Sequence, residues 1–148
     1  MRSFKFLSIP VLVMVTTYAS LAQTQETSSL SVTVDGLRNG QGAVIVAAFD
    51  RADAFEAMDV SKAAAMAYLP AANTKISVTF HDLPRGAYAF AALHDEDGDS
   101  DLGMNGDVPS EGYAFSAMGR SGLPSKFEDA AVATGDVATS TLRLKYWN

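Results

Sequence analysis

The chain has 148 residues, 11 cations against 17 anions, and no cysteine. Such an acidic chain, lacking a cluster of Lys and Arg, argues against binding to nucleic acid or anionic membrane, where phosphate must be met by concentrated positive charge. Without cysteine there are no disulfides and no thiol chemistry, so the fold has to hold through its core, helped or not by an ion.

At the N-terminus, Arg2 and Lys5 frame the start of an apolar run from Phe6 to Val15, followed by small residues at Ser20 and Ala22. This is the layout of a secretory signal peptide with cleavage after Ala22. The run falls short of the about 20 residues that a membrane span needs, and no second run of that length follows, so a periplasmic or secreted protein without a membrane span is expected. Loss of Arg2 and Lys5 leaves nine cations against 17 anions, a net charge of −8. The remaining 126 residues are the size of one domain. We read residues 1–22 as signal peptide, 23–29 as a polar, flexible leader, and 30–148 as a single domain.

From Leu30 onward, short apolar runs alternate with turn residues, the pattern of an antiparallel sandwich. In "LSVTVDG" the side chains of Leu30, Val32 and Val34 share one face, and "RNGQG" supplies a turn. "AVIVAAF" is apolar on both faces and predicts a central strand. "RADAFEAMDVSKAAAMAYLP" is rich in Ala and Met, with Phe55, Met58, Lys62 and Met66 at helical spacing, and predicts a short helical insertion ending before Pro70. "TKISVTFHDLP" points Ile76, Val78 and Phe80 inward and Lys75, Ser77, Thr79 and His81 outward. After the "PRG" turn, "AYAFAALH" places Tyr88, Phe90, Ala92 and His94 on one face and Ala87, Ala89, Ala91 and Leu93 on the other. "EGYAFS", "KFEDAAVAT" and "TSTLRLKYW" read as further strands. The expected fold is therefore all-β, an immunoglobulin-like or prealbumin-like antiparallel sandwich of about seven strands with one helical insertion.

Between the strands lies "LHDEDGDSDLGMNGD", Leu93 to Asp107. Counting from Asp95, positions one, three and five are Asp95, Asp97 and Asp99, the spacing by which one loop wraps carboxylates around a hard cation. Calcium suits it best, because it accepts six to eight oxygens in adaptable geometry, whereas magnesium demands a tight octahedron. The pattern departs from the helix-loop-helix calcium loop at position six, Ser100 instead of Gly, and at position twelve, Gly106 instead of a bidentate Glu. Asp101, Asp107 and Glu111 are the candidates to complete the ligand set, and spacing does not choose among them. The plain alternative is a solvated acidic loop. His94, beside Asp95, is a candidate ligand or general base; a lone His at a strand end is more often packed against a neighbour. His81 has no partner in sequence. No nucleophile elbow and no phosphate loop is present, and a Glu111 and Asp129 pair for glycoside hydrolysis has no support from spacing. The aromatic residues Tyr88, Phe90, Tyr113, Phe115 and Phe127 sit at strand spacing and read as core.

Three ordered stretches, "FHDLPRGAYAFAALHDEDGDSDLG", "GDVPSEGYAFS" and "PSKFEDAAV", resemble the exported bacterial family known as domain of unknown function 2141. The similarity covers most of 30–148. His94, Asp95 and Glu96 fall on the family's His-Asp-Glu, and Asp97 and Asp99 on its Asn positions. Pro109, Glu111, Tyr113, Phe115 and Ser116 match the second stretch, with Ala114 where Gly is usual, and Phe127, Asp129 and Ala130 match the third. Where the family commonly has Gly-Lys-Leu-Asp, this chain has Ser100, Asp101, Leu102 and Gly103, which shifts one carboxylate. The resemblance implies an exported sandwich and no established activity. The "LPRGAY" turn is also similar to that of transthyretin-like and carboxypeptidase-regulatory-like accessory modules, an analogy at the level of fold.

The reading that follows is a non-catalytic exported module whose acidic loop binds calcium, through Asp95, Asp97 and Asp99 with Asp101, Asp107 or Glu111. Tyr113 would pack beside the loop, and the loop would dock an envelope protein or a glycan. Two alternatives stand: a metal-dependent hydrolase using His94, Asp95 and Glu111, and a sandwich with no ion.

Overall fold

A computed structural model describes residues 26–72, 74–118, 122–124, 126–135 and 138–147. The expected signal peptide therefore lies outside the described residues. No helix among them is long and apolar enough to cross a membrane.

The chain forms β1 (Thr27–Asp35), β2 (Ala43–Phe49), α1 (Ala52–Glu56), a 3-10 turn (Val60–Lys62), β3 (Ala65–Pro70), β4 (Lys75–Pro84) and β5 (Ala87–Asp95). Two short strands follow, β6 (Met104–Asn105) and β7 (Val108–Pro109), then β8 (Gly112–Phe115), α2 (Phe127–Ala130), β9 (Val132–Ala133) and β10 (Ala138–Arg143). One sheet has the order β10-β1-β4, the other β3-β2-β5-β8 with β9 also on β5, and β6 and β7 pair with each other. The pairings are antiparallel except β1 with β10, which is parallel. The all-β sandwich expected from the alternating runs is the fold.

Alternation sets which side chains meet between the sheets. Leu30, Val32 and Val34 of β1, Val44, Val46 and Ala48 of β2, Phe80 of β4, Tyr88 and Phe90 of β5 and Leu142 of β10 belong to one buried cluster. β2 is apolar on both faces because its other face is covered too. Ala47 and Phe49 pack with Ala54 and Phe55 of α1, Ala89 and Ala130 in a second cluster. The Phe55 ring meets Phe49, Phe115 and Phe127 edge-on at 5.8, 6.3 and 6.3 Å between centroids.

Three boundaries differ from the sequence expectation. β1 begins at Thr27, inside the expected leader, because Thr27 and Ser28 pair with Pro84 and Leu83 before an irregularity in register. The insertion is helical only to Lys62, and 65–69, expected as helix, lies in a strand: Ala65 through Pro70 pair residue by residue with Ala48 back to Ala43. A partner edge on β2 outweighs the weak helix preference of Ala and Met. Conversely, "KFEDAAVAT" begins as the short helix α2, which seats Phe127 against Phe55 before β9 resumes.

The register also lays two apolar rows across the outer face of the second sheet. Tyr68, Ile45, Leu93 and Tyr113 form one; Met66, Ala47, Ala91 and Phe115 form the other.

Candidate functional site

The acidic loop leaves β5 at Asp95 and returns at Glu111 before β8. Asp95 is 3% exposed and turns its carboxylate back on its own loop: Oδ1 accepts from the Gly98 N–H at 2.7 Å and Oδ2 from the Ser100 N–H at 3.1 Å. Glu111, 4% exposed, laces the two ends, with Oε1 accepting from the Glu96 N–H at 2.7 Å and Oε2 from the Gly103 N–H at 3.0 Å. These buried carboxylates are thus solvated by backbone amides, which is what burial of a charge requires. Above them Asp97 Oδ1 accepts from the Asp99 N–H at 3.2 Å and Asp99 Oδ1 from the Asp101 N–H at 2.8 Å, a ladder of side-chain turns.

Asp95, Asp97 and Asp99 each bring one ligand atom into a group whose members all lie within 4.8 Å of one another. Position six, where the motif calls for Gly, does adopt the left-handed backbone: Ser100 has φ 65°. The turn is thus made by a serine whose N–H is tied to Asp95. Asp101, Asp107, Glu111 and His94 are not members of the group. Glu111 instead acts as the clamp just described, while Asp101 and Asp107 are exposed.

The loop stands on a polar hub that spacing did not reveal. His94 is fully buried; its Nε2 meets the Gln41 carbonyl at 2.9 Å and its Nδ1 the Tyr146 hydroxyl at 2.7 Å. A carbonyl can only accept, so Nε2 carries a proton and, in the neutral ring, Nδ1 accepts from Tyr146. The Tyr146 oxygen also accepts from the Arg38 N–H at 3.3 Å, and the Arg38 guanidinium stacks 4.7 Å from the Tyr146 ring centroid. Burial, with Glu96 nearby, raises the pKa of Tyr146 and keeps it a donor. Arg38 grips both carboxylate oxygens of Glu96 and donates to the Ser110 carbonyl at 3.0 Å. Its hydrogen bonds, joined by one from Asn39, hold the Glu96 carboxyl below the ordinary range against the opposing effect of desolvation.

Two glycines allow this close assembly. A Cβ on Gly42, whose φ is 68°, would lie 1.9 Å from the Asp95 carbonyl oxygen, and one on Gly112 would lie 2.3 Å from the Tyr146 ring. Arg38, Gln41 and Gly42 come from the β1–β2 turn and Tyr146 from the segment after β10, so no local pattern announces them. Tyr113 lies in the outer-face row beside the loop, its hydroxyl accepting from Trp147 Nε1 at 3.0 Å. His81 does find a partner, the Ser29 hydroxyl at 3.1 Å. Of the aromatics read as core, Tyr88 and Phe90 are fully buried between the sheets, Tyr113 is buried too, and Phe115 and Phe127 pack partly buried against the second cluster; Tyr113 and Phe115 also line an outer groove with the loop residues Ser100, Asp101 and Leu102.

A two-sheet sandwich with a carboxylate-rich loop clamped at its β5–β8 end is the class of protein that fold and site define. The chain belongs to a family described as an uncharacterized protein conserved in bacteria, domain of unknown function 2141, whose model matches residues 32–141. No curated protein and no solved structure matches it.

Proposed function

We propose that this protein is an exported, non-catalytic binding module, periplasmic or secreted, whose acidic loop takes a calcium ion at Asp95, Asp97 and Asp99. The observation that carries the reading is the convergence of these three carboxylates within 4.8 Å on a loop already framed by Asp95 and Glu111. Each carboxylate oxygen that accepts one N–H keeps a second lone pair for a ligand bond. Calcium would draw its remaining oxygens from loop carbonyls and water. Bound ion would hold Ser100–Leu102 in one arrangement beside the outer groove, giving an envelope protein or glycan a fixed surface to dock on. The hydrolase alternative is less favoured, since a bond from His94 to an ion would break its contact with Tyr146 or Gln41.

The test is thermal unfolding of residues 23–148 after chelation, then with calcium or magnesium restored. At an ion concentration about ten times the dissociation constant, linkage supplies about 1.4 kcal/mol, a rise of about 5 °C for a domain of this size. A rise with calcium alone, abolished in Asp97→Asn, supports the reading. No rise with either ion, or an equal rise in the variant, overturns it.

A further inference from the structure

The two apolar rows on the outer face of the second sheet are covered at the Phe49 end by α1 and α2, and beyond these helices a groove of about 260 Å³ remains open. Met58 and Val60 line it together with Ser100, Asp101 and Leu102 of the acidic loop. Val60, Met66 and Tyr68 are left 51%, 38% and 60% exposed at its margin. Single apolar residues on a surface are ordinary, but a contiguous set lining a concavity marks a binding site. Among the described residues, Asp101 is the one ionised side chain that lines the groove. Its Oδ1 accepts from the Leu102 N–H at 2.8 Å, and it forms no ion pair among the described residues.

We propose that this groove binds a small organic cation: an apolar ring or short chain that ends in an ammonium-type group. Size sets the apolar part. A dry cavity of about 150 Å³ holds benzene, and drug-sized ligands occupy about 300–1,000 Å³, so the 260 Å³ here fits a body slightly larger than one ring. Charge sets the other end. The Asp101 carboxylate attracts a cation and repels an anion, and the rings of Tyr68, Tyr113 and Phe115 offer electron-rich surface to an ammonium group. The site does not depend on an ion in the loop, since Asp101 is outside the group formed by Asp95, Asp97 and Asp99.

Three probes matched in their ring test it: benzyltrimethylammonium, benzyl alcohol and benzenesulfonate, titrated in the presence of chelator and followed through the NMR signals of Met66, Leu93 and Leu102. The cation is expected to move these signals and to bind roughly fivefold tighter than the alcohol, the scale of one exposed charge interaction, with the sulfonate weakest. Asp101→Asn should erase the preference while leaving the alcohol's affinity unchanged. Tyr68→Ala, at an exposed position that leaves the fold intact, should weaken all three. Equal binding of the three probes by the unaltered protein, or signals moving elsewhere, overturns the proposal. So does a dimer in sedimentation equilibrium that Tyr68→Ala abolishes, because a second copy would then be what covers the groove.

Discussion

The acidic loop has a buried set of carboxylates, Asp95 and Glu111, and an exposed set, Asp97, Asp99, Asp101 and Asp107, the same functional group in opposite surroundings. The first two are almost wholly buried, and each of their oxygens accepts a backbone N–H; the other four are exposed, with Asp97, Asp99 and Asp101 each accepting from a neighbouring amide of the loop. Removing a carboxylate from the buried set strands buried donors. Removing one from the exposed set relieves repulsion. The loop therefore has a buried, amide-anchored pair and an exposed set held by local side-chain turns.

Substitutions break that comparison in order of size. Glu111→Ala leaves the N–H groups of Glu96 and Gly103 without their acceptor and should cost about 3 kcal/mol in urea unfolding under chelating conditions. Asp95→Asn keeps one acceptor oxygen and loses the other, so about 1.5 kcal/mol is expected by the same measurement.

Arg38→Gln probes the hub beneath the loop. Because Arg38 holds the folded-state pKa of Glu96 below its ordinary value, the stabilisation is fully present above the ordinary carboxylate range and is lost as pH falls through the folded-state value. With Arg38 42% exposed, screening limits the cost at pH 7 to about 1 kcal/mol. The gap between variant and parent should narrow as pH falls below the ordinary carboxylate range, in unfolding followed across pH. A gap independent of pH would assign the loss to stacking on Tyr146 instead. The smallest effect belongs to Asp99→Asn, within about 0.5 kcal/mol of the parent in chelator. In calcium it should forfeit the ion-dependent gain, which would sharpen the contrast between the two sets.

Much of this was legible from the residues. Alternation gave β1 and β4 with their inward faces, because a period of two has one meaning where one side is buried, and it sorted β5 into two faces without saying which is inward. The doubly apolar β2 announced a central strand. β3 was hidden because Ala and Met are at home in helices and only its register with β2 decides otherwise. Asp95, Asp97 and Asp99 stood out since they are local to one loop. Glu111 was named as one of three candidate ligands, and its part as a clamp had no sign in the sequence because its two amide partners lie 15 and 8 residues away. Arg38, Gln41 and Tyr146 gave no sign at all: His94 meets Gln41 53 residues upstream and Tyr146 52 residues downstream.

The parallel pairing of β1 with β10 has a consequence for how the chain reaches this structure. Leu30 lies opposite Ala138, and the Tyr146 that props the acidic loop follows directly on that last strand. The first sheet cannot close, nor the loop gain its support, until β10 has been made and has met β1, its partner more than a hundred residues earlier in the sequence. Such long-range closure is slow, in the range of milliseconds to seconds for sandwiches of this kind. Until it occurs, β1 has only β4 beside it, and its other edge is open to whatever strand arrives first.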